Sequence, residues 1–318
     1  MKDVLDRNKP TILVSSCLMG DAVRWNSTGA SCKWLVHSLS KHVNIQKVCP
    51  EMMMGLGVPR KTIRLVHSGT DEIRVVESKG SGEHTKSAFD TIPEVVKHGK
   101  SVDGFILKSK SPSCGLERVK VYNTKTGHPD KSSVGLFAKA LREEYSDCAF
   151  IDEGRLNDYR LREHFVTHLF ALHRLKTIEP KISALQEFHA KNKYLIMCYK
   201  HSRVSELGRI CSKGGKEDFS KLYLEYFELF SRTLSEPAPQ GQIYSTLQHI
   251  YGYFKKVLDP KEKKHILNVV DDYKRGRVPM TIPLEILRFL TTKYDMSYLS
   301  DQCLFDPYPE SLSLRRFI

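Results

Sequence analysis

Three of the eight cysteines in the sequence share a position relative to the predicted strands. Cys17, Cys49 and Cys114 each follow a predicted buried strand directly or within a few residues. Because the carboxyl ends of parallel strands line one edge of a sheet, we expect these thiols to meet there. Three thiolates suit an iron-sulfur cluster, and a 4Fe-4S cluster held by three cysteines keeps one iron open. The alternative is that they are small buried hydrophobic side chains in ordinary turns.

The other five cysteines fall within or beside predicted helices or near the C-terminal tail, and we interpret them as structural: Cys32, Cys148, Cys198, Cys211 and Cys303. The absence of a CxxC pair argues against a zinc ribbon or a thioredoxin-like site. Residues 1–3 do not begin a signal peptide, and no apolar run approaches the roughly 20 residues that cross a bilayer. We therefore expect a cytoplasmic protein without a membrane segment, in which disulfides are not favoured.

The first half of the sequence alternates short β-rich runs with amphipathic stretches. This pattern predicts an α/β domain with a Rossmann-like, mostly parallel sheet over residues 1–160. Strands are predicted at 11–15, 43–48, 72–77, 102–108 and 149–151. Helices are predicted at 33–42, 85–98 and 133–145.

From about residue 162 the apolar residues recur with helical periodicity, which predicts an all-α domain over residues 161–318. Helices are predicted at 161–177, 181–198, 202–208, 216–235, 240–257, 260–275 and 283–294. The two prolines in residues 306–309 predict an extended tail. The net charge of +13 is spread over both halves and makes a polyanion a reasonable partner, with a merely soluble basic surface as the alternative.

Several short motifs of the first half occur in a characteristic order. They are SSCLMG at 15–20, CPE at 49–51, GVPR at 57–60, DGFILK at 103–108, SKSPSCG at 109–115 and EGRLND at 153–158. Together they resemble the successive motifs of the thiouracil desulfidase (TudS) family. One departure is that RWN at 24–26 is separated from Gly29 by two residues, whereas the family has an uninterrupted triplet ending in glycine.

The second half resembles the YbgA-like helical domain. The resemblance rests on KYL at 193–195, on His249 with GYFK at 252–255, and on residues 302–309. Proteins that join these two domains resemble bacterial desulfidases that remove sulfur from 4-thiouridine in tRNA. The resemblance therefore implies a tRNA partner as well as a thiolated pyrimidine substrate.

The resemblance also implies a mechanism in which Cys17, Cys49 and Cys114 hold a 4Fe-4S cluster. Its open iron would bind the thiocarbonyl sulfur and activate the carbon for attack by water, in a non-redox reaction that gives uridine and hydrosulfide. We expect Glu51 to act as the base, with Ser109 or Ser111 orienting water or the pyrimidine. The alternatives are a helix N-terminal carboxylate for Glu51 and turn chemistry for the two serines.

Basic side chains are expected to contact the tRNA backbone. The candidates are Lys108, Lys193, Arg203, Lys255, Lys256, Arg275 and Arg277. The alternative for each is ordinary solvated surface.

Two other functions remain open from the sequence. One is a desulfidase of free thiouracil or another small thioamide. The other is a non-enzymatic nucleic-acid-binding iron-sulfur sensor with a fourth protein ligand, for which Cys32 is the nearest candidate.

Overall fold

The structure is a computed structural model that describes residues 6–69 and 72–317. Residues 1–3, on which the expectation of no signal peptide rests, lie outside the described residues. The chain divides between Asn157 and Asp158 into two compact units. The first unit contains, in chain order, β1 (Thr11–Ser15), α1 (Lys33–His37), β2 (Asn44–Val48), α2 (Pro50–Met53), β3 (Ile63–His67), β4 (Arg74–Glu77), α3 (Thr85–His98), β5 (Gly104–Leu107), β6 (Val119–Asn123), β7 (Pro129–Ser133), α4 (Leu136–Glu144) and β8 (Ala149–Asp152).

The strands within the described residues form two four-stranded sheets. In the first sheet the order is β2-β1-β5-β8, and every neighbouring pair is parallel. Strands β1 and β5 are buried along their whole length, as is typical of central strands in a parallel sheet. The predicted parallel-sheet α/β domain is therefore confirmed.

The second sheet has the order β4-β3-β6-β7, and only β3 and β6 are parallel within it. The sequence patterns predict β4 as part of a strand at 72–77, but they do not predict β3, β6 or β7. Strand β7 is polar and almost entirely exposed, so it lacks the alternation that marks a half-buried strand. Because β7 ends at Ser133, α4 begins at Leu136 rather than at the predicted residue 133.

The second unit is helical, as predicted. Its helices are α5 (Tyr159–Lys176), α6 (Ile182–Tyr199), α7 (His201–Ser212), α8 (Phe219–Thr233), α9 (Gln240–Tyr251), α10 (Pro260–Lys274), α11 (Thr281–Lys293) and α12 (Ser297–Ser300). Helix α9 ends at Tyr251, before a 3-10 turn, whereas the sequence predicts a helix to residue 257. Helix α7 extends to Ser212, beyond the predicted end at residue 208.

Local sequence explains where two long helices of this unit, α5 and α10, begin. The Asp158 carboxylate accepts a hydrogen bond from the Leu161 backbone at the start of α5. Asp259 and Glu262 form a capping box around Pro260 at the start of α10. Among the described residues, no helix combines the length and the apolar character that a membrane span needs.

Candidate active site

The three cysteines follow neighbouring strands of the parallel sheet. Cys49 caps α2 after β2, Cys17 lies in the 3-10 turn after β1, and Cys114 lies in the loop after β5. These three strands lie side by side in the order β2-β1-β5. All three thiols line one pocket of about 300 Å³, so the structure brings the predicted ligands together.

The electrostatics of this pocket do not favour free thiolates. Burial raises the pKa of Cys17 to about 11, and the nearby Cys49 sulfur adds to the shift. Burial also raises the pKa values of Cys49 and Cys114. Since a thiolate is the reactive form of cysteine, none of the three is an activated nucleophile by itself.

The three thiols are the soft donors that an iron-sulfur cluster takes. Within residues 6–69 and 72–317, no three cysteine, histidine or carboxylate side chains are arranged to hold one metal ion. In a 4Fe-4S cluster each cysteine binds a different iron, so its ligands stand farther apart than those of one ion. Cys32 does not line the pocket, and this observation gives no support to a fourth cysteine ligand.

Glu51 lies in the first turn of α2, beside Cys49, and lines the same pocket. Its Oε2 accepts hydrogen bonds from Arg60 Nη2 at 2.5 Å and Arg60 Nε at 3.0 Å. Its Oε1 accepts a hydrogen bond from the Ser113 hydroxyl at 2.9 Å. Side chains, rather than the backbone donors of the alternative interpretation, therefore hold this carboxylate in place.

Arg60 and Ser113 are site residues that the sequence analysis does not single out. Only 6% of the Arg60 side chain is exposed, and its guanidinium also donates to the Val23 and Gly57 carbonyl oxygens at 2.9 Å and 2.7 Å. The GVPR motif at 57–60 could have drawn attention to Arg60 in the sequence. The motif does not indicate which carboxylate forms the ion pair with this arginine.

Lys108 and Ser109 line the pocket and contact a second carboxylate, that of Glu153. Glu153 forms an ion pair with Lys108 and accepts hydrogen bonds from the Ser109 backbone at 2.6 Å and its hydroxyl at 2.7 Å. Burial would raise the pKa of Glu153, but the hydrogen bonds from Lys108 and Ser109 outweigh burial and lower it. Glu153 is therefore ionised at neutral pH and positions both predicted residues.

Ser111 lines the pocket, and its hydroxyl is also part of a turn. The oxygen accepts hydrogen bonds from the backbone nitrogens of Ser113 and Cys114 at 3.2 Å and 3.1 Å. The Ser111 hydroxyl therefore stabilises a turn, as in the alternative that the sequence analysis gives for this serine. The two hydrogen bonds fix the backbone at Cys114.

Residues 24–29 contain the two residues that separate the RWN motif from Gly29, and this segment contributes Arg24 and Trp25 to the pocket wall. Ser27 has a positive φ of 55°, and its nitrogen donates to the Arg24 carbonyl oxygen at 2.8 Å, which closes a tight turn. The turn leaves Trp25, which is 46% exposed, lining the pocket. The two extra residues therefore leave Trp25 at the pocket.

Gly29 cannot carry a side chain in this arrangement, and we expect Gly29→Ala to destabilise the first unit by about 2 kcal/mol. An added Cβ would lie 2.6 Å from the Gly20 carbonyl oxygen. Both tryptophans, Trp25 and Trp34, lie in the first unit, so urea unfolding followed by tryptophan fluorescence reports on this unit. The control is Gly241→Ala in α9, where an added Cβ meets nothing within 4 Å and the transition should not change.

The predicted tRNA contacts of the second unit differ in whether a carboxylate offsets their charge. Arg203 pairs with Glu206, and Arg277 pairs with Asp272 at 3.0 Å, so carboxylates offset both charges. Arg275 caps the end of α10. Lys255 and Lys256 are exposed after the 3-10 turn that follows α9. Lys193 lies on α6 beside the exposed ring of Tyr298.

Residues 12–153 match the family model described as 2-thiouracil desulfurase, and this match contains all three cysteines of the pocket. Residues 193–309 match the model of a protein of unknown function, DUF1722. Two family models therefore match successive parts of the chain, 2-thiouracil desulfurase first and DUF1722 second. This result confirms the resemblance that the motifs indicate for each half.

Two known proteins each resemble about half of the chain. The uncharacterized protein YbgA of Escherichia coli K12 is 27% identical over 162 residues, which are 51% of this chain and 95% of YbgA. The solved structure of the [4Fe-4S]-dependent thiouracil desulfidase TudS is 25% identical, covers 47% of this chain and 95% of its own, and has a TM-score of 0.36.

Proposed function

We propose that the protein removes sulfur from 4-thiouridine in tRNA and gives uridine and hydrosulfide, with Cys17, Cys49 and Cys114 holding a 4Fe-4S cluster. The observation that carries the proposal is the meeting of these three thiols and the Glu51 carboxylate in one pocket. The match of residues 12–153 to 2-thiouracil desulfurase supports the class of reaction. When bound, such a cluster supplies a Lewis acid that polarises a thiocarbonyl group.

The side chains of the pocket account for the remaining requirements of the reaction. Water replaces sulfur at the pyrimidine carbon: the C=S double bond is exchanged for a C=O double bond, one proton of the water ends on hydrosulfide and the other is released, and no electrons are gained or lost overall. Glu51, held in position by Arg60, takes the proton from the attacking water. Trp25 offers an exposed ring on which the pyrimidine stacks. Lys108, aligned by Glu153, faces the phosphate of the same nucleotide.

An aromatic and basic face of the helical unit supports tRNA as the partner. The rings of Tyr253 and Tyr298 stack with centroids 6.2 Å apart, and both side chains are more than 40% exposed. Lys193 Nζ lies 6.0 Å from the Tyr298 ring centroid. Exposed rings beside lysines provide base stacking together with phosphate attraction, which is how proteins hold unpaired nucleotides. We call Lys193, Tyr253 and Tyr298 the tyrosine-lysine face.

The test of the proposed function uses full-length protein loaded anaerobically with iron and sulfide. It is incubated with tRNA that contains 4-thiouridine, and near-ultraviolet absorbance and released hydrosulfide are followed. We expect equal loss of thionucleoside and gain of hydrosulfide. Intact tRNA together with desulfuration of free thiouracil would instead assign the activity to the small-molecule alternative.

We expect variants of the tyrosine-lysine face to weaken tRNA binding. Tyr298→Ala removes one stacking ring, worth about 1–3 kcal/mol per base, so the affinity should fall about tenfold. Lys193→Gln should lower the slope of log affinity against log salt by about one. Filter binding at several salt concentrations measures both effects.

Lys221→Gln is the matched control for this face. Lys221 is exposed on α8 and pairs with Glu217 at 2.8 Å, so its removal should leave affinity and salt slope unchanged. Equal weakening by Lys221→Gln and Lys193→Gln would show that only the overall charge matters.

A further inference from the structure

The helical unit contains a second pocket, larger than the one at the cysteines. Its volume is about 460 Å³, within the size range of small-molecule sites. Its walls come from α5, α6, α9 and the segment that follows α10. All of its lining residues lie between 160 and 315, so the pocket belongs to the second unit alone.

The charged groups that line this pocket are predominantly positive. Glu163 and Arg315 neutralise each other through a pair at 3.1 Å, with 13% and 11% of their side chains exposed. Arg277 is offset by Asp272 at 3.0 Å. Arg160 donates to the Ala238 carbonyl oxygen at 3.2 Å and forms no ion pair with any described residue. The Arg160 guanidinium therefore leaves an uncompensated positive charge at the pocket.

The pocket wall also contains a tyrosine hydroxyl without a hydrogen-bond partner among the described residues. Tyr273 is 7% exposed, and its hydroxyl forms no hydrogen bond with the residues that the structure describes. Burial raises the pKa of Tyr273 to about 12, so the hydroxyl keeps its proton at neutral pH. Because the Tyr273 hydroxyl forms no bond to the described residues, it is available to donate a hydrogen bond to a ligand in the pocket.

The other polar groups of the wall are neutral. The Tyr199 hydroxyl and His164 Nδ1 are 3.2 Å apart, and burial lowers the pKa of His164. Apolar side chains complete the wall: Leu195, Ile243, Val278 and Met280. The pocket therefore combines an apolar wall, a hydroxyl that can donate a hydrogen bond and a guanidinium without a carboxylate partner among the described residues, which together suit a ring that carries an anionic group.

We propose that this pocket binds a nucleoside monophosphate unit, either as a free nucleotide or as part of an RNA strand. Arg160 binds the phosphate, because a guanidinium matches phosphate oxygens in pairs. The apolar wall packs against the base, and the Tyr273 hydroxyl donates to a base or ribose oxygen. The volume exceeds what an isolated phosphate or a small acid would fill. This proposal does not rest on the desulfidase activity.

The test is calorimetric titration of the full chain with uridine monophosphate, which needs no cluster in the first unit. We expect Arg160→Gln to weaken binding about tenfold or more, since it removes a charge-assisted contact. Tyr273→Phe keeps the ring and removes only the hydroxyl, so it should weaken binding about threefold to tenfold. Arg232→Gln is the control, because Arg232 is exposed on α8 and pairs there with Glu228.

Three comparison ligands distinguish a nucleotide site from a site that binds any nucleoside, any phosphate or any aromatic acid. Uridine, inorganic phosphate and benzoate should each bind at least about tenfold more weakly than uridine monophosphate. Uridine lacks the phosphate, inorganic phosphate lacks the ring, and benzoate has a carboxylate in place of the phosphate. A short oligouridylate that binds in an Arg160-dependent manner, when the free nucleotide does not, would assign the site to an RNA strand. The proposal would be overturned if neither uridine monophosphate nor the oligouridylate bound. It would also be overturned if Arg160→Gln and Arg232→Gln bound the nucleotide with equal affinity, or if phosphate or benzoate bound as tightly as the nucleotide.

Discussion

Replacing any one of Cys17, Cys49 and Cys114 with Ala is expected to reduce desulfuration to the rate of tRNA without protein. Each thiol is one of three ligands, so its loss leaves two, and the cluster is no longer held. The fold should survive, because truncation of a small buried side chain costs only about 1 kcal/mol. Iron per chain and thionucleoside loss measure the effect, and tryptophan fluorescence confirms that the first unit remains folded.

Cys32→Ala is the matched control for these variants. Cys32 is partly buried in the same unit but does not line the pocket. Its backbone nitrogen donates to the Leu18 carbonyl oxygen at 2.9 Å, and its carbonyl oxygen accepts from the Val36 nitrogen at 3.0 Å. We expect this variant to keep its iron and its activity. Loss of iron in Cys32→Ala would instead favour the sensor with four protein ligands. Full iron in all three pocket variants would contradict the assignment of the ligands.

The sequence predicts the parallel sheet well because its central strands are buried on both faces. Strands β1 and β5 are continuous apolar runs, and such runs are visible without any knowledge of their neighbours. The second sheet is not predictable in the same way. Strand β7 is polar and exists through its pairing with β6, so its stability depends on a tertiary contact rather than on its own residues.

The candidate site shows the same division between local and tertiary information. The positions of the three cysteines follow from strand order, because each lies shortly after a strand of the sheet. The contact between Glu51 and Arg60 depends on how the intervening loop folds, and residue types alone do not determine that path. Likewise, Glu153 meets Lys108 only because β8 lies next to β5 in the sheet.

Glu51→Gln is expected to lower kcat by about 10² to 10⁴-fold while the protein keeps its iron. The amide retains the size of the carboxylate and can still accept the Ser113 hydrogen bond, but it cannot take a proton from water. Loss of the negative charge also leaves Arg60 buried without a counterion, which should cost about 3–5 kcal/mol of stability. The assay must therefore separate a lost base from a weakened fold, since both would lower the measured rate.

The double variant Glu51→Gln with Arg60→Gln makes that separation. Removing both charges eliminates the unpaired guanidinium, so the urea midpoint followed by tryptophan fluorescence should recover most of the stability lost in the single variant. The kcat should remain low, because no carboxylate has returned to the pocket. If kcat recovered together with stability, Glu51 would serve only to hold Arg60 and the loop, and the base would be another group. A low kcat at restored stability is the result that a proton-accepting role for Glu51 requires.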